Sequence, residues 1–178
     1  MTSPAARAWL AKALNAAPGA ITLEAMAGAT SSSVFAVGTT AGRSAVLRLF
    51  DNAAWLADEP DLMAHEAAAL ETAAEAGLPA PRLIAFTDGD VGFGAPALLM
   101  TRLPGRVELM PADWTAWIEQ LAGALARIHR QPAIGLGWSY FPWIDVSRAS
   151  VPAWSSNPGA WQRALDIVRG PAPDAPTV

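Results

Sequence analysis

The first residue whose position suggests chemistry is Arg48. It lies inside the otherwise apolar run of residues 45–50, which has the length and composition of a buried strand. Side chains alternate between the two faces of a strand, so Arg48 shares a face with Val46 and Phe50. A cation on an apolar face is costly unless it is paired. Arg48 is therefore expected to need an anionic partner.

A second misplaced charge, Glu66, offers that partner. It lies on a predicted helix of residues 61–76, between Leu62 and Leu70 on the apolar stripe. Two arrangements are open: the helix lies on the sheet and Glu66 meets Arg48, or each side chain reaches the edge of the core separately. A strand cation held by a helix carboxylate is also one way to present a fixed positive charge to a phosphate.

A small polar loop, residues 28–33, is a third feature whose composition suggests chemistry. It connects two predicted strands, and such a loop can direct its backbone N–H groups toward an anion. It is not a phosphate-binding loop of the Gly-Lys-Ser/Thr type, because that sequence does not follow. It is not a dinucleotide-binding turn either, because a strand and not a helix comes next.

The elements that must position these groups alternate in type. Strands are predicted over residues 21–27, 34–37, 44–50, 82–87 and 95–102, and helices over 4–16, 61–76, 111 to about 130, and 157–169. Residues 51–60 are predicted as a loop. Short connections between consecutive strands favour an antiparallel sheet with helices packed against it, which is the α+β class.

Composition excludes several kinds of site and function. The chain has 178 residues, 52% of them hydrophobic, which suits one domain or two small lobes. It has no Cys and two His, so thiolate chemistry and Cys- or His-rich metal sites are excluded. The net charge of −4 argues against a nucleic-acid partner. No apolar run approaches the roughly 18 residues of a membrane span, so a cytoplasmic protein without a membrane partner is expected.

In the order of these features, the sequence resembles the aminoglycoside phosphotransferase and choline-kinase-like family, which has the protein-kinase-like fold. The resemblance rests on four segments in order: residues 28–37, 45–48, 65–82 and 96–105. It implies an N-lobe made of a five-stranded antiparallel sheet plus a helix, followed by the first helices of an incomplete, mainly helical C-lobe. The implied divisions are an N-terminal helix at 1–19, the nucleotide-binding lobe at 20–103 and the start of the C-lobe at 104–178.

The resemblance also implies ATP as the cofactor and gives the residues roles. Backbone groups of four residues would cover the ATP phosphates, namely Thr30, Ser31, Ser32 and Ser33. Arg48 would contact the α- and β-phosphates, with Glu66 orienting it. Met100 would lie behind the adenine, and the Thr101 carbonyl and Leu103 amide would bind its edge.

The catalytic part of the family pattern is missing from this sequence. Neither His65 nor His129 begins the family's His-x-Asp-x-x-x-x-Asn loop, and Asp145 precedes the place where that loop should come. No catalytic or metal-binding residue is therefore assigned, and Mg²⁺ is expected only in the complete protein. The expected function is the ATP-binding portion of an enzyme that moves the γ-phosphoryl group to a hydroxyl of a small molecule. The alternative is a non-catalytic, kinase-like interaction module.

The tryptophans near the end of the chain leave two interpretations open. Trp138, Trp143, Trp154 and Trp161 could shape an acceptor pocket, or they could be part of a hydrophobic core. If part of the C-lobe surface were exposed, it would favour association with another molecule.

Overall fold

The computed structural model describes residues 3–132, 137–138 and 145–171. The helices are α1 Pro4–Ala13, α2 Ala53–Asp58, α3 Leu62–Glu75, α4 Trp114–His129 and α5 Pro158–Arg169. The strands are β1 Ile21–Ala25, β2 Ser33–Thr39, β3 Ser44–Leu49, β4 Leu83–Thr87 and β5 Ala97–Thr101, and a single 3₁₀ turn, Pro18–Ala20, links α1 to β1. The α+β class predicted from the sequence is confirmed.

The five strands form one antiparallel sheet in the order β1-β2-β3-β5-β4. The first three strands are a meander, as predicted, and β5 lies between β3 and β4. In the register of β3, Arg48 is opposite Val34 of β2 and Leu98 of β5. Arg48 therefore lies on the central strand of the sheet, with a neighbouring strand on both sides.

One face of the sheet is covered by α1. Ala45, Leu47 and Leu49 of β3 point to this face and are buried with Leu10 and Leu14 of the helix segment. Two arginines fix this segment to the sheet: Arg7 Nη1 donates to the Ile21 carbonyl at 2.9 Å, and Arg43 Nη1 donates to the Leu14 carbonyl at 2.8 Å.

The opposite face of the sheet is covered by α3. Phe50 and Leu98 are buried against Leu62, Met63 and Ala67 of the helix. Side chains alternate along β3, and Leu47 and Leu49 on either side of Arg48 face α1. Arg48 is therefore on the face that α3 covers. The sequence-based assignment of Arg48 to the face of Phe50 is confirmed.

The prediction of a loop over residues 51–60 is wrong, because α2 forms within it. Asn52 caps this short helix, since its Oδ1 accepts a hydrogen bond from the Trp55 N–H at 3.1 Å. Trp55 and Leu56 pack against the cluster under α3. A helix of six residues is too short to show a periodic apolar pattern, and the packing of its partly buried Trp55 and Leu56 favours its formation.

Helix ends also differ from the sequence-based bounds. The fourth helix begins at Trp114 and not at Pro111, because the Asp113 carboxylate accepts a hydrogen bond from the Ala116 N–H at 2.9 Å and caps the helix there. The first helix ends at Ala13, three residues early, and Asn15 follows with a positive φ of 48°.

The predicted apolar stripe of α4 lies on the surface of the described structure. Its five side chains are each about half exposed: Trp114, Ile118, Leu121, Leu125 and Ile128. The helix contains no buried residue. The stripe has the spacing of a helix that packs against other elements.

The chain divides into two compact units, Met1–Gln131 and Pro132–Val178. In the second unit, Arg169 at the end of α5 donates from Nε to the Val146 carbonyl at 3.1 Å and from Nη2 to the Ala149 carbonyl. These contacts tie the helix end to the preceding loop. Among the described helices, none has the length and apolar character needed to cross a membrane.

The connection between β4 and β5 holds the beginning of α1. Asp90 Oδ1 accepts hydrogen bonds from the N–H groups of Gly92 and Gly94, at 2.6 and 2.8 Å. Phe93, between them, stacks edge to face on Trp9 with ring centres 5.8 Å apart. The turn is thereby shaped so that Gly92 lies directly against the first residues of α1.

Replacing Gly92 by Ala is expected to destabilise the fold more than the same change at Gly94. Both glycines have positive φ, at 103° and 81°, but a Cβ at Gly92 would also lie 3.0 Å from the Ala6 nitrogen, whereas Gly94 faces open space. We expect Gly92→Ala to cost about 2–4 kcal/mol and Gly94→Ala about 1 kcal/mol in the free energy of unfolding. Urea denaturation measures both, and equal losses would show that α1 does not press on this turn.

The same turn predicts a dependence of stability on pH. The backbone N–H groups of Gly94 and then Gly92 hold the pKa of the Asp90 carboxyl below its ordinary value of 3.8. A lowered pKa in the folded state adds stability above the unfolded pKa, and this contribution is lost as pH falls through the folded pKa. Asp90→Ala should therefore be less stable than the parent chain at neutral pH, with a difference that shrinks by about pH 2. Urea denaturation at both pH values measures it, and an equal loss at both would contradict the role of the carboxylate charge.

Candidate functional site

Arg48 and Glu66 meet in the structure. Arg48 Nη1 donates a hydrogen bond to Glu66 Oε1, which joins the centre of β3 to the inner face of α3. The Arg48 side chain is 19% exposed and that of Glu66 is 30% exposed, so the pair lies at the rim of the core. Of the two arrangements that the sequence left open, the structure has the paired one.

Two further contacts fix the orientation of the Arg48 guanidinium. Its Nε donates a hydrogen bond to Ser32 Oγ at 2.9 Å, and its Cζ atom lies 4.8 Å from the centre of the Phe50 ring. The cation is thus held by a helix carboxylate, a loop hydroxyl and an aromatic face. Because a guanidinium has five N–H donors in a rigid fork, donors remain for an additional anion.

The serine-rich loop is also fixed at its other side. The Ser33 N–H donates to Asp51 Oδ1 at 3.1 Å, and Ser33 Oγ donates to Asp51 Oδ2 at 2.5 Å. The sequence-based reasoning missed Asp51, which it placed in a plain loop. One sequence signal could have identified Asp51. It lies two residues after the end of β3, and in a hairpin of β2 and β3 this position lies near Ser33, where β2 begins.

A shallow depression lies beside the loop on the α3 face. Ser31 lines it together with side chains from the end of β3, from α2 and from the start of α3, namely Phe50, Asn52, Trp55, Leu56 and Leu62. Four of these six lining residues are aromatic or aliphatic, and Ser31 and Asn52 are polar. The missed helix α2 thus forms one wall of the region around the predicted site.

The predicted adenine-binding residues lie at the end of β5. Met100 is opposite Val46 and packs partly buried in the cluster under α3, so it is on the face of Arg48. Thr101 fixes the end of the strand, since its Oγ1 accepts a hydrogen bond from the Arg82 N–H at 2.9 Å. Leu103 follows the strand and is 48% exposed. The roles of Met100, Thr101 and Leu103 in binding adenine stay predictions.

The remaining candidates lie in the second unit. The Asp145 carboxylate accepts hydrogen bonds from the Ser147 hydroxyl at 2.6 Å and the Ser147 N–H at 3.0 Å, and they lower its pKa. Trp154 and Trp161 stack edge to face and are 77% and 39% exposed. Trp143 is outside the described residues. Within the described parts of the chain, no three His, Asp or Glu side chains are grouped so that they could hold a metal ion.

A double-mutant cycle on Arg48→Ala and Glu66→Ala should show strong coupling in the free energy of unfolding. Because the pair is mostly shielded from solvent, we expect an interaction energy of about 1–3 kcal/mol. The matched control is the pair Arg106 and Glu108, whose side chains are 86% and 39% exposed. Its coupling should be below about 0.5 kcal/mol. Equal coupling in both cycles would contradict a structural role for the Arg48 pair.

Comparisons with known proteins identify the family of the chain and its fold. The model of the phosphotransferase enzyme family matches residues 22–170 of the chain, whereas no curated protein matches it. A solved structure from Ralstonia eutropha JMP134, described as a "putative aminoglycoside phosphotransferase", matches with a TM-score of 0.58 and 19% identity. The match covers 94% of this chain and 48% of that one, so this chain spans about half its length. The match to the family model over most of the chain, on a fold shared with that structure, shows that the chain belongs to the phosphotransferase enzyme family.

Proposed function

We propose that this chain is the ATP-binding portion of a phosphotransferase that moves the γ-phosphoryl group of ATP to a hydroxyl of a small molecule. The observation that carries the proposal is the guanidinium of Arg48, fixed between Glu66 of α3 and Ser32 of the loop before β2. Family membership supports phosphoryl transfer in general, and this cation supports a polyphosphate as the ligand.

The donor set at this place suits a polyphosphate. Glu66 neutralises part of the Arg48 charge and fixes the fork, so a bound anion need not order a flexible side chain. A phosphate chain needs several N–H and O–H donors, which a guanidinium and serine hydroxyls provide. When bound, ATP would supply the transferable phosphoryl group. Arg48 would neutralise charge on the phosphates.

In the serine-rich loop, we propose that fewer residues cover the ATP phosphates than the four that the resemblance implied. Gly28 opens the loop with a φ of 94°, a conformation that favours glycine. The Ser33 N–H is directed to Asp51, so it holds the loop instead of pointing to a ligand. We assign the phosphate-covering role to the backbone N–H groups of Thr30, Ser31 and Ser32.

The adenine would bind at the end of β5. Met100 is on the same face of the sheet as Arg48, which supports the proposal that both residues contact one nucleotide. We assign the adenine edge to the Thr101 carbonyl and the Leu103 amide, and the base plane to the surface beside Met100.

We assign the chemistry at the acceptor hydroxyl to residues that these 178 residues do not include. Proton removal from a hydroxyl and Mg²⁺ binding need carboxylates and an amide at set positions, and the sequence offers no such loop. The related solved structure is about twice as long as the matched region. We propose that the 178-residue chain binds ATP and that transfer needs the family's remaining length.

Saturable ATP binding that depends on Arg48 is the first test. We expect Arg48→Ala to weaken ATP affinity at least about tenfold, because it removes the cation that faces the phosphates. Isothermal titration calorimetry with ATP, in buffer with and without Mg²⁺, measures the change. Arg163→Ala, which removes one exposed arginine from α5, is the matched control and should bind as the parent chain does.

The outcomes separate the possible functions. Unchanged affinity in Arg48→Ala would contradict the site assignment. Absence of any ATP binding by the parent chain would favour the kinase-like interaction module. Metal-dependent transfer to an acceptor hydroxyl by the 178-residue chain, detected in a coupled kinase assay, would contradict the division between binding and catalysis.

A further inference from the structure

Asp51 is placed where the pairing of β2 with β3 ends. The last paired residues are Ser33 and Leu49, and Asp51 lies two residues beyond Leu49. Its two carboxylate oxygens accept from the N–H and the hydroxyl of Ser33, at 3.1 and 2.5 Å. Both oxygens of one carboxylate therefore bind one residue, which fixes its backbone and its side-chain rotamer together.

A continuous set of contacts connects Asp51 to the cation of the site. Ser33, which Asp51 holds, is bonded to Ser32, and the Ser32 hydroxyl accepts from Arg48 Nε at 2.9 Å. Fixing the backbone at Ser33 limits where the Ser32 hydroxyl can lie. Asp51 thus acts on the orientation of Arg48 through the loop, in addition to the direct contact from Glu66.

A carboxylate close to a polyphosphate site is unfavourable by charge alone. Repulsion between Asp51 and a bound phosphate would weaken binding, whereas a well-placed loop would strengthen it. The two effects have opposite signs, so a substitution at this position shows which one dominates.

We propose that Asp51 is a positioning residue for nucleotide binding, which holds the serine-rich loop in the conformation that receives the ATP phosphates. The inference rests on the proposed function, because it concerns the affinity of the same site. It predicts that loss of the carboxylate weakens ATP binding, even though the local negative charge decreases.

The test is calorimetric titration of the full chain and its variants with ATP and with adenosine. We expect Asp51→Ala to weaken ATP affinity about tenfold, comparable to the loss of one charge-assisted hydrogen bond. Asp51→Asn keeps an acceptor oxygen but cannot accept both bonds from Ser33, so it should lie between the alanine variant and the parent. Adenosine affinity should be the same in all three, because adenosine has no phosphate.

Two further variants distinguish the positioning role from charge and from loss of fold. Ser33→Ala keeps the carboxylate and removes only the hydroxyl donor; it should weaken ATP binding, and its effect should not add to that of Asp51→Ala because they share one contact. Asp88→Ala removes a carboxylate from the β4–β5 turn and should bind ATP as the parent does.

Each result has one meaning. Tighter or unchanged ATP binding in Asp51→Ala, with Arg48→Ala still weakened, overturns the positioning role and leaves the proposed function standing. No ATP binding by the parent chain overturns both. Equal loss of ATP and adenosine affinity would show a general loss of structure and overturns the inference. Should Asp51→Ala fail to fold, Ser33→Ala decides the question with the same readout.

Discussion

The structure of the candidate site depends on one partly buried ion pair, Arg48 with Glu66. Arg48 is a cation on the central strand of the sheet, on a face that is otherwise apolar, and such a charge must be compensated. Glu66 provides the compensation from α3. The packing of Phe50 and Leu98 against Leu62, Met63 and Ala67 brings the helix close enough for this contact. Core packing and charge pairing are thus two consequences of the same arrangement.

The pair also organises the surface beside it. Because Glu66 and Ser32 occupy two sides of the guanidinium fork, its orientation is set by protein contacts. Ser32 belongs to a loop that Asp51 ties to the end of β3 through Ser33. Polar contacts among five residues therefore connect the loop, the strand and the helix, namely Ser32, Ser33, Arg48, Asp51 and Glu66. Such a connected polar network favours one conformation of the loop over its alternatives. This is the physical basis for the proposed link between a structural ion pair and nucleotide binding.

Much of the fold follows from local patterns. The apolar runs and turn residues predicted five strands in an antiparallel arrangement, and the order β1-β2-β3-β5-β4 confirms the α+β class. Helix α2 was missed, because six residues carry too little periodicity and its burial depends on distant residues. Helix α4 is the converse case. Its apolar spacing correctly predicts an amphipathic helix, but the spacing does not specify which element, if any, packs against the apolar side chains.

The sequence by itself determined that Arg48 and Glu66 lie on inner faces, since strand and helix periodicity are local properties. It also determined the family, through four segments in a fixed order. Only the tertiary structure decided that the two side chains meet, because their contact depends on how α3 is placed over β3. The same holds for Asp51 and Ser33: they are 18 residues apart in sequence, and the hairpin register brings them together. Contacts between distant residues depend on how whole elements pack against one another, which the periodicity of a single element does not specify.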